Sequence, residues 1–202
     1  MQNNLIYLCG PHGSGKTTLG KELARDNPGF VIPELFSRNV KFNSCDATYR
    51  QILKIGGRAI ENFEYLEIAK KNSSKIILGN RGIYDVLAYN QVYFQKGWID
   101  EKTYEQYDSY TLQSFREENS APLAVVLNPG IDVVKKHLEI RWIQKGKKWR
   151  EEDLDYANLV CKAYERFKNN ANIFYLNRET DLESRVDIKK VGEWIMSKFK
   201  SQ

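Results

Sequence analysis

Gly10-Pro11-His12-Gly13-Ser14-Gly15-Lys16-Thr17 decides how the rest of the chain is read. It fills the pattern G-x-x-x-x-G-K-[ST] without a mismatch. Before it, Leu5-Ile6-Tyr7-Leu8-Cys9 is an apolar run of strand length; after it, Thr18 to Arg25 has helical spacing. A strand, a glycine-rich turn and a helix make a phosphate cradle. The glycines let several backbone N–H groups point at one place, and the helix N-terminus adds its partial positive charge. Lys16 then reaches the β- and γ-phosphates of a nucleoside triphosphate, the Thr17 hydroxyl takes a position on Mg²⁺, and Thr18 approaches the α-phosphate. His12 stands at a variable position of the pattern and reads as a spacer.

The chain has 202 residues, enough for one domain, and it is read as a single unit over 1–202. Hydrophobic residues make up 42% and charged residues 28%, an ordinary globular composition. The formal charge of +5 suits an anionic ligand without demanding nucleic acid. No apolar run approaches the roughly 20 residues of a membrane span, and the first strand follows the N-terminus with no leader pattern. Cys9, Cys45 and Cys161 are far apart with no C-x-x-C pair, so they read as reduced thiols of a cytoplasmic protein.

Further strands are expected at Phe30–Ile32, Ile76–Leu78, Leu123–Leu127 and Asn172–Leu176. Helices are expected at about Ala47–Lys70 (capped near Asp46, with a bend at Gly56-Gly57), Tyr84–Gln95, Glu101–Glu118, Ile131–Gln144, Glu152–Lys168 and Asp187–Phe199. Strands alternating with helices require crossover connections, hence a mainly parallel sheet covered on both faces. Ligands of such sheets bind outside the carboxyl ends of the strands, so the residues just after each strand carry the functional expectations.

After the second strand, Glu34 can take a proton from an attacking hydroxyl, and Arg38 can hold an anionic acceptor. After the third, Arg81 presents a planar fork to a phosphate. Asn80 stands where an acid would hold Mg²⁺, and Asp85, one helical turn beyond, is the candidate to supply that charge. Tyr89 and Asn90 can line a base or sugar pocket. The segment from Arg141 to Arg150 carries five basic side chains in ten residues, with Gly146 as a flexible point. It reads as a lid over about 141–153 in which Arg141, Lys145, Lys147 and Arg150 close over the triphosphate and exclude water. No His or Cys cluster has metal-ligand spacing, so the only metal implied is Mg²⁺.

Together these residues resemble the thymidylate kinase and deoxynucleoside kinase group of P-loop kinases. Val31-Ile32-Pro33-Glu34 is similar to the strand end where deoxynucleoside kinases keep a catalytic Glu. Asn80 to Asn90 is similar to the D-R-Y-x-x-S-x-x-A-Y-Q of thymidylate kinases, with Arg81, Ala88 and Tyr89 matching and Asn80, Gly82, Asp85 and Asn90 differing. Lys145-Gly146-Lys147 followed by Tyr156 and Tyr164 resembles the lid and following helix of deoxynucleoside kinases. The resemblance implies a three-layer α/β P-loop NTPase fold with sheet order 2-3-1-4-5, a helical lid, Mg²⁺-ATP as donor, adenine near Asn177-Arg178, and catalysis by Lys16, Glu34, Arg81 and Arg150. It leaves a homodimer open. The acceptor is a nucleoside or a nucleoside monophosphate, with a deoxy-pyrimidine expected. A non-nucleotide metabolite, a nucleic-acid 5′-hydroxyl and a nucleotide-dependent regulatory ATPase are the alternatives.

Overall fold

The computed structural model describes residues 4–36, 46–115, 122–147, 150–177 and 185–199. Strand β1 (Leu5–Cys9) is buried along its whole length and lies at the centre of the sheet. Its side chains alternate between two cores, as strand geometry requires. Tyr7 and Cys9 face one cluster with Tyr65, Val92 and Tyr164, whereas Ile6 and Leu8 face another with Leu19, Leu23 and Ile195. Strand β4 (Leu123–Asn128) divides in the same way, Ala124 and Val126 against Val125 and Leu127. Burial on both faces explains why these strands read as unbroken apolar runs rather than alternating ones.

The other strands are β2 (Phe30–Val31), β3 (Ile76–Asn80) and β5 (Ile173–Asn177), and all pair in parallel in the order β2-β3-β1-β4-β5. This is the three-layer P-loop NTPase fold that the sequence led us to expect. One face is covered by α1 (Lys16–Asp26) and α7 (Arg185–Phe199). The other is covered by α2 (Ala47–Lys71), α3 (Ile83–Gln95), α4 (Glu101–Ser114) and α6 (Leu154–Glu165). Helix α5 (Ile131–Lys145) packs Val134, Leu138 and Trp142 on Cys161 of α6. The register sets Leu8 opposite Asn80 and Asn128 opposite Asn177, so the strands end along one edge.

Several boundaries differ from expectation. Helix α2 runs unbroken through Gly56-Gly57, because Gln51, Ile55, Asn62, Tyr65, Leu66 and Ala69 bury its inner face and packing outweighs the glycine penalty. Its N-cap is Asp46, whose carboxylate accepts from the Tyr49 N–H at 2.6 Å. Strand β3 continues to Asn80, whose N–H donates to the Tyr65 hydroxyl at 2.8 Å. Helix α4 stops at Ser114, where Phe115 turns inward to within 6.3 Å of the Tyr7 ring. Helix α6 starts at Leu154 rather than Glu152, capped by the Asp153 carboxylate on the Tyr156 N–H at 2.9 Å. Among the described residues no helix is long and apolar enough to cross a membrane.

Candidate active site

The chain leaves β1 at Gly10 with φ 144°, and a Cβ there would lie 2.2 Å from the Leu127 carbonyl oxygen. Only glycine fits so close to the end of β4. The loop then enters α1 through Gly15 in the left-handed region at φ 91°, with no side chain capping the helix. The N–H groups of the first turn are therefore left for an anion. Thr17 and Thr18 are exposed at that turn. The Lys16 ammonium donates to the carbonyls of Gly10 at 2.8 Å and Pro11 at 2.6 Å and to the Ser14 hydroxyl at 3.0 Å. Burial, reinforced by the nearby Arg81 charge, lowers its pKa to about 7. The His137 ring donates from Nδ1 to the Gly13 carbonyl at 2.7 Å, so α5 braces the loop from outside.

Arg81 follows β3 with φ 74°, a left-handed conformation unusual for a side-chain-bearing residue, and its N–H donates to the Leu8 carbonyl at 2.9 Å. Gly82 comes next because a Cβ there would sit 2.5 Å from Cγ of Tyr7. Asp85, only 2% exposed, is the hub below. Its Oδ1 accepts from Arg81 Nη1 at 3.0 Å, from the Tyr164 hydroxyl at 2.7 Å and from the Gly10 N–H at 3.3 Å. Its Oδ2 accepts from the Gly82 N–H at 3.0 Å. Burial alone would raise the carboxyl pKa, but the Arg81 and Lys16 charges and the Tyr164 hydroxyl outweigh it and the pKa lies below its ordinary value. One carboxylate thus ties the cradle, the end of β3 and helix α6 together. Sequence reading gave Asp85 to substrate or metal; the structure places it beneath Arg81, with both oxygens engaged by these donors.

Arg81 Nη2 lies 3.2 Å from Nδ1 of His12, and its guanidinium packs 5.7 Å from the Tyr89 ring centre. An arginine only donates, so His12 Nδ1 is the acceptor and the ring is neutral. Partial burial and then the Arg81 charge hold His12 well below the usual imidazole pKa, in agreement with that tautomer. The approach of Glu151 to the same nitrogen, at 3.8 Å, is therefore a contact and not an ion pair. Lys16, Thr17, Arg58, Arg81, Arg141 and Lys145 line one open cleft of about 800 Å³.

The wall facing the cradle comes from α2 and α3. Gln51, Lys54 and Arg58 lie on one side of α2 and, with Arg81, Val86 and Tyr89, line a recess of about 30 Å³ beside the cleft. Gln51 is fixed by a buried chain: its Nε2 donates to Asn90 Oδ1 at 2.6 Å, and Asn90 Nδ2 donates to Asp108 Oδ1 at 2.8 Å. Arg58 pairs with Glu61 on its own helix. Sequence reading missed Gln51, Lys54 and Arg58, although polar residues at i, i+3 and i+7 on the side of α2 turned inward were a readable signal. Asn90 is fully buried and positions Gln51 rather than facing the recess itself. Glu34 stands exposed, three residues beyond β2, and is not among the residues lining either space.

The expected lid divides. Arg141 and Lys145, at the end of α5, line the cleft. Lys147 lies 5.1 Å over the Trp142 ring, and Arg150 lies 4.3 Å over Trp98 and lines a separate small pocket with His12. Glu151, 4% exposed, pairs with Arg141 and accepts from Trp142 Nε1 at 3.1 Å, another residue that sequence reading missed. Asn177 is the exposed last residue of β5. Arg38, Cys45, Lys148, Trp149 and Arg178 lie outside the described residues.

Fold and cradle together define a P-loop nucleotide-binding protein. Residues 5–185 match the family model described as an AAA domain, and the chain belongs to that family. No curated protein matches it. Among solved structures it is similar to deoxyadenosine kinase from M. mycoides with bound dATP, with TM-score 0.67, 22% identity, and 97% of this chain and 99% of that chain covered. The same enzyme with bound dCTP gives TM-score 0.62 at 18% identity, covering 98% of this chain and 100% of the other. At these identities the likeness speaks for the fold.

Proposed function

We propose that the protein is an ATP-dependent kinase that transfers the γ-phosphoryl group to a nucleoside or a nucleoside monophosphate. The observation that carries this reading is the meeting of Lys16 and Arg81 in one cleft at the carboxyl ends of β1 and β3. Phosphoryl transfer asks a protein mainly for positioning and for positive charge around the transferred group. The loop N–H groups and Lys16 hold the β- and γ-phosphates, while Arg81, oriented by Asp85, faces the equatorial oxygens. Arg141 and Lys145 add charge from the α5 side. Mg²⁺, for which the Thr17 hydroxyl is the available ligand, neutralises phosphate charge when bound. Glu34, exposed beyond β2 and outside the lining of the cleft, would have to turn inward to take the proton of an acceptor hydroxyl; a phosphate acceptor has no proton to give it.

The test is a coupled assay with Mg²⁺-ATP across purine and pyrimidine nucleosides, their monophosphates and 5′-hydroxyl oligonucleotides. Transfer to a nucleoside or monophosphate, lost in Lys16→Ala, is expected. Tight ATP binding with no transfer to any acceptor would favour the regulatory reading. The panel spans both base classes because the structural relatives carry dATP and dCTP alike, and the deoxy-pyrimidine preference stands or falls on it. Glu34→Gln should cripple transfer to a nucleoside hydroxyl and only slow transfer to a monophosphate. Equal loss on both removes Glu34 from the role of base.

A further inference from the structure

Helix α2 turns its inner face to the sheet, and from one side of that face Gln51, Lys54 and Arg58 line the recess beside the cleft. Its outer face is apolar. Tyr49, Ile52, Ile60 and Phe63 are 59%, 42%, 53% and 64% exposed, and exposed Gly56 lies between them. At about 100° per residue these five positions fall within about 40° of one line along the helix. Arg50, Lys54, Arg58 and Glu61, the charged residues of this stretch, lie about 120° or more from that line. A helix face turned to water ordinarily carries the charges, and this one carries none. The stripe is also symmetric about Gly56. Ile52 and Ile60 stand four residues before and after it, Tyr49 and Phe63 seven, and the half-buried Leu53 and Ala59 three. Two such helices crossing antiparallel at a two-fold axis through Gly56 set Ile52 of each copy against Ile60 of the other, and Tyr49 against Phe63. An isologous interface demands this self-complementarity; neither a different protein nor a segment of the same chain calls for it.

Gly56 supplies a second observation. It sits in the middle of a 25-residue helix, where glycine is disfavoured. Its backbone is not in the left-handed region, and a Cβ built on it meets nothing within 4 Å. The chain around it therefore does not require a glycine. A partner helix crossing at this point does, because two backbones without Cβ atoms approach closely. We propose that the protein forms a two-fold homodimer in which α2 of each copy packs antiparallel on α2 of the other, crossing at Gly56. The isoleucines on either side of the axis and the aromatic pair at each end then leave water together. Helix α2 is held between its own sheet and the second copy, so the seam lies behind the residues that line the recess.

The experiment measures the mass of the full chain by sedimentation equilibrium and fixes the geometry by cross-linking. At micromolar concentration the wild type should weigh twice the 23.6 kDa of one chain. Ile60→Glu should raise the dimer dissociation constant at least about 100-fold, because the two-fold axis counts each substitution twice. Its circular dichroism should match the wild type, since Ile60 is exposed in the single chain. Ile143→Glu, on α5 at a residue 89% exposed, should leave the mass unchanged. The cysteine variants are made with Cys45→Ser, and Cys9 and Cys161 are buried. Gly56→Cys should give a disulfide-linked dimer on oxidation, its two thiols meeting at the axis. Tyr49→Cys or Phe63→Cys alone puts the two thiols about 21 Å apart along the helices, too far to link, whereas a mixture of the two variants should link. A monomeric wild type, which leaves the stripe to another protein or another segment of this chain, overturns the inference. So does a dimer that survives Ile60→Glu, or one in which Gly56→Cys does not link. Should Ile60→Glu fail to fold, the cysteine series decides by itself. The kinase reading is untouched by each of these outcomes, because its cleft is lined from one chain.

Discussion

The wall around Lys16 is built from main chain, and the wall opposite, from Gln51 to Tyr89, is built from side chains. In the first, a close approach of Gly10 to β4 and a left-handed Gly15 aim N–H groups at a single point, and the residues are contiguous. In the second, Gln51, Lys54, Arg58, Arg81 and Tyr89 come from two helices and a strand end; Asn90 fixes Gln51, and Asp85, itself bonded by Tyr164, fixes Arg81. A main-chain wall offers the same geometry to any triphosphate. A side-chain wall can be rewritten residue by residue, so under the proposed kinase reading it is the part of the cleft that distinguishes one acceptor from another.

The comparison breaks first at Lys16. Lys16→Ala should lower kcat by roughly 10²–10³-fold, because a cation is removed from the charge that develops on the transferred group. Its circular dichroism should match the wild type, since the ammonium supports the loop and not the core. Wild-type turnover in this variant would remove the cradle from the chemistry.

The next largest effect is on stability and tests the hub that joins the two walls. Asp85→Asn leaves the half-buried Arg81 without its counter-charge, at a cost of up to about 3–5 kcal/mol, and the melting temperature should fall by on the order of 10 °C. The folded pKa of Asp85 is depressed, so the stability it lends is present above the unfolded value near about 4 and is lost as pH falls through the lower folded value. Thermal scans of both proteins should therefore begin to approach each other below about pH 4 and meet only once pH has fallen below the lower folded value. Curves that stay parallel would show that Asp85 is not the charged partner.

A smaller effect is expected where α5 meets the segment before α6. Glu151→Gln keeps the shape and removes the charge that holds Arg141 beside Trp142. The KM for ATP should rise about two- to fivefold with kcat nearly unchanged, the worth of one weakened charge-assisted contact. An equal fall in kcat would place Glu151 closer to the reaction than its partners suggest.

The smallest signal is a proton. Lys16 titrates at about 7 in the folded chain. An unfolded lysine titrates near about 10.4, so between these values the unfolded state holds more protons and stability rises with pH. Below about 7 both states are protonated and the contribution is constant. Binding a triphosphate restores the ammonium, so titration calorimetry near pH 8, in buffers of different ionisation enthalpy, should show uptake of up to about one proton. Lys16→Ala should show none and should lose the alkaline slope.

Much of the fold was legible because its signals are local. Five apolar runs marked the strands, and the glycine–lysine loop was read with its flanks. Arg81 stood out because it follows a strand directly. Gln51, Lys54, Arg58 and Glu151 were not singled out, since each sits in a helix or a turn where a polar residue ordinarily faces water. Asp85 was seen but given a different task, because nothing adjacent in sequence announces that Tyr164 and Gly10 converge on it.

By itself the sequence determined the parallel three-layer sheet and the triphosphate cradle, for both follow from short-range patterns: buried strands repeat apolar residues, and a curled backbone needs glycine at fixed spacing. Only the tertiary structure decided which side chains share the wall opposite the cradle and which carboxylate holds Arg81. Those groups lie tens of residues apart in the chain, and their meeting is set by how α2, α3 and α6 pack on the sheet, a property of volumes and contacts that no local pattern encodes.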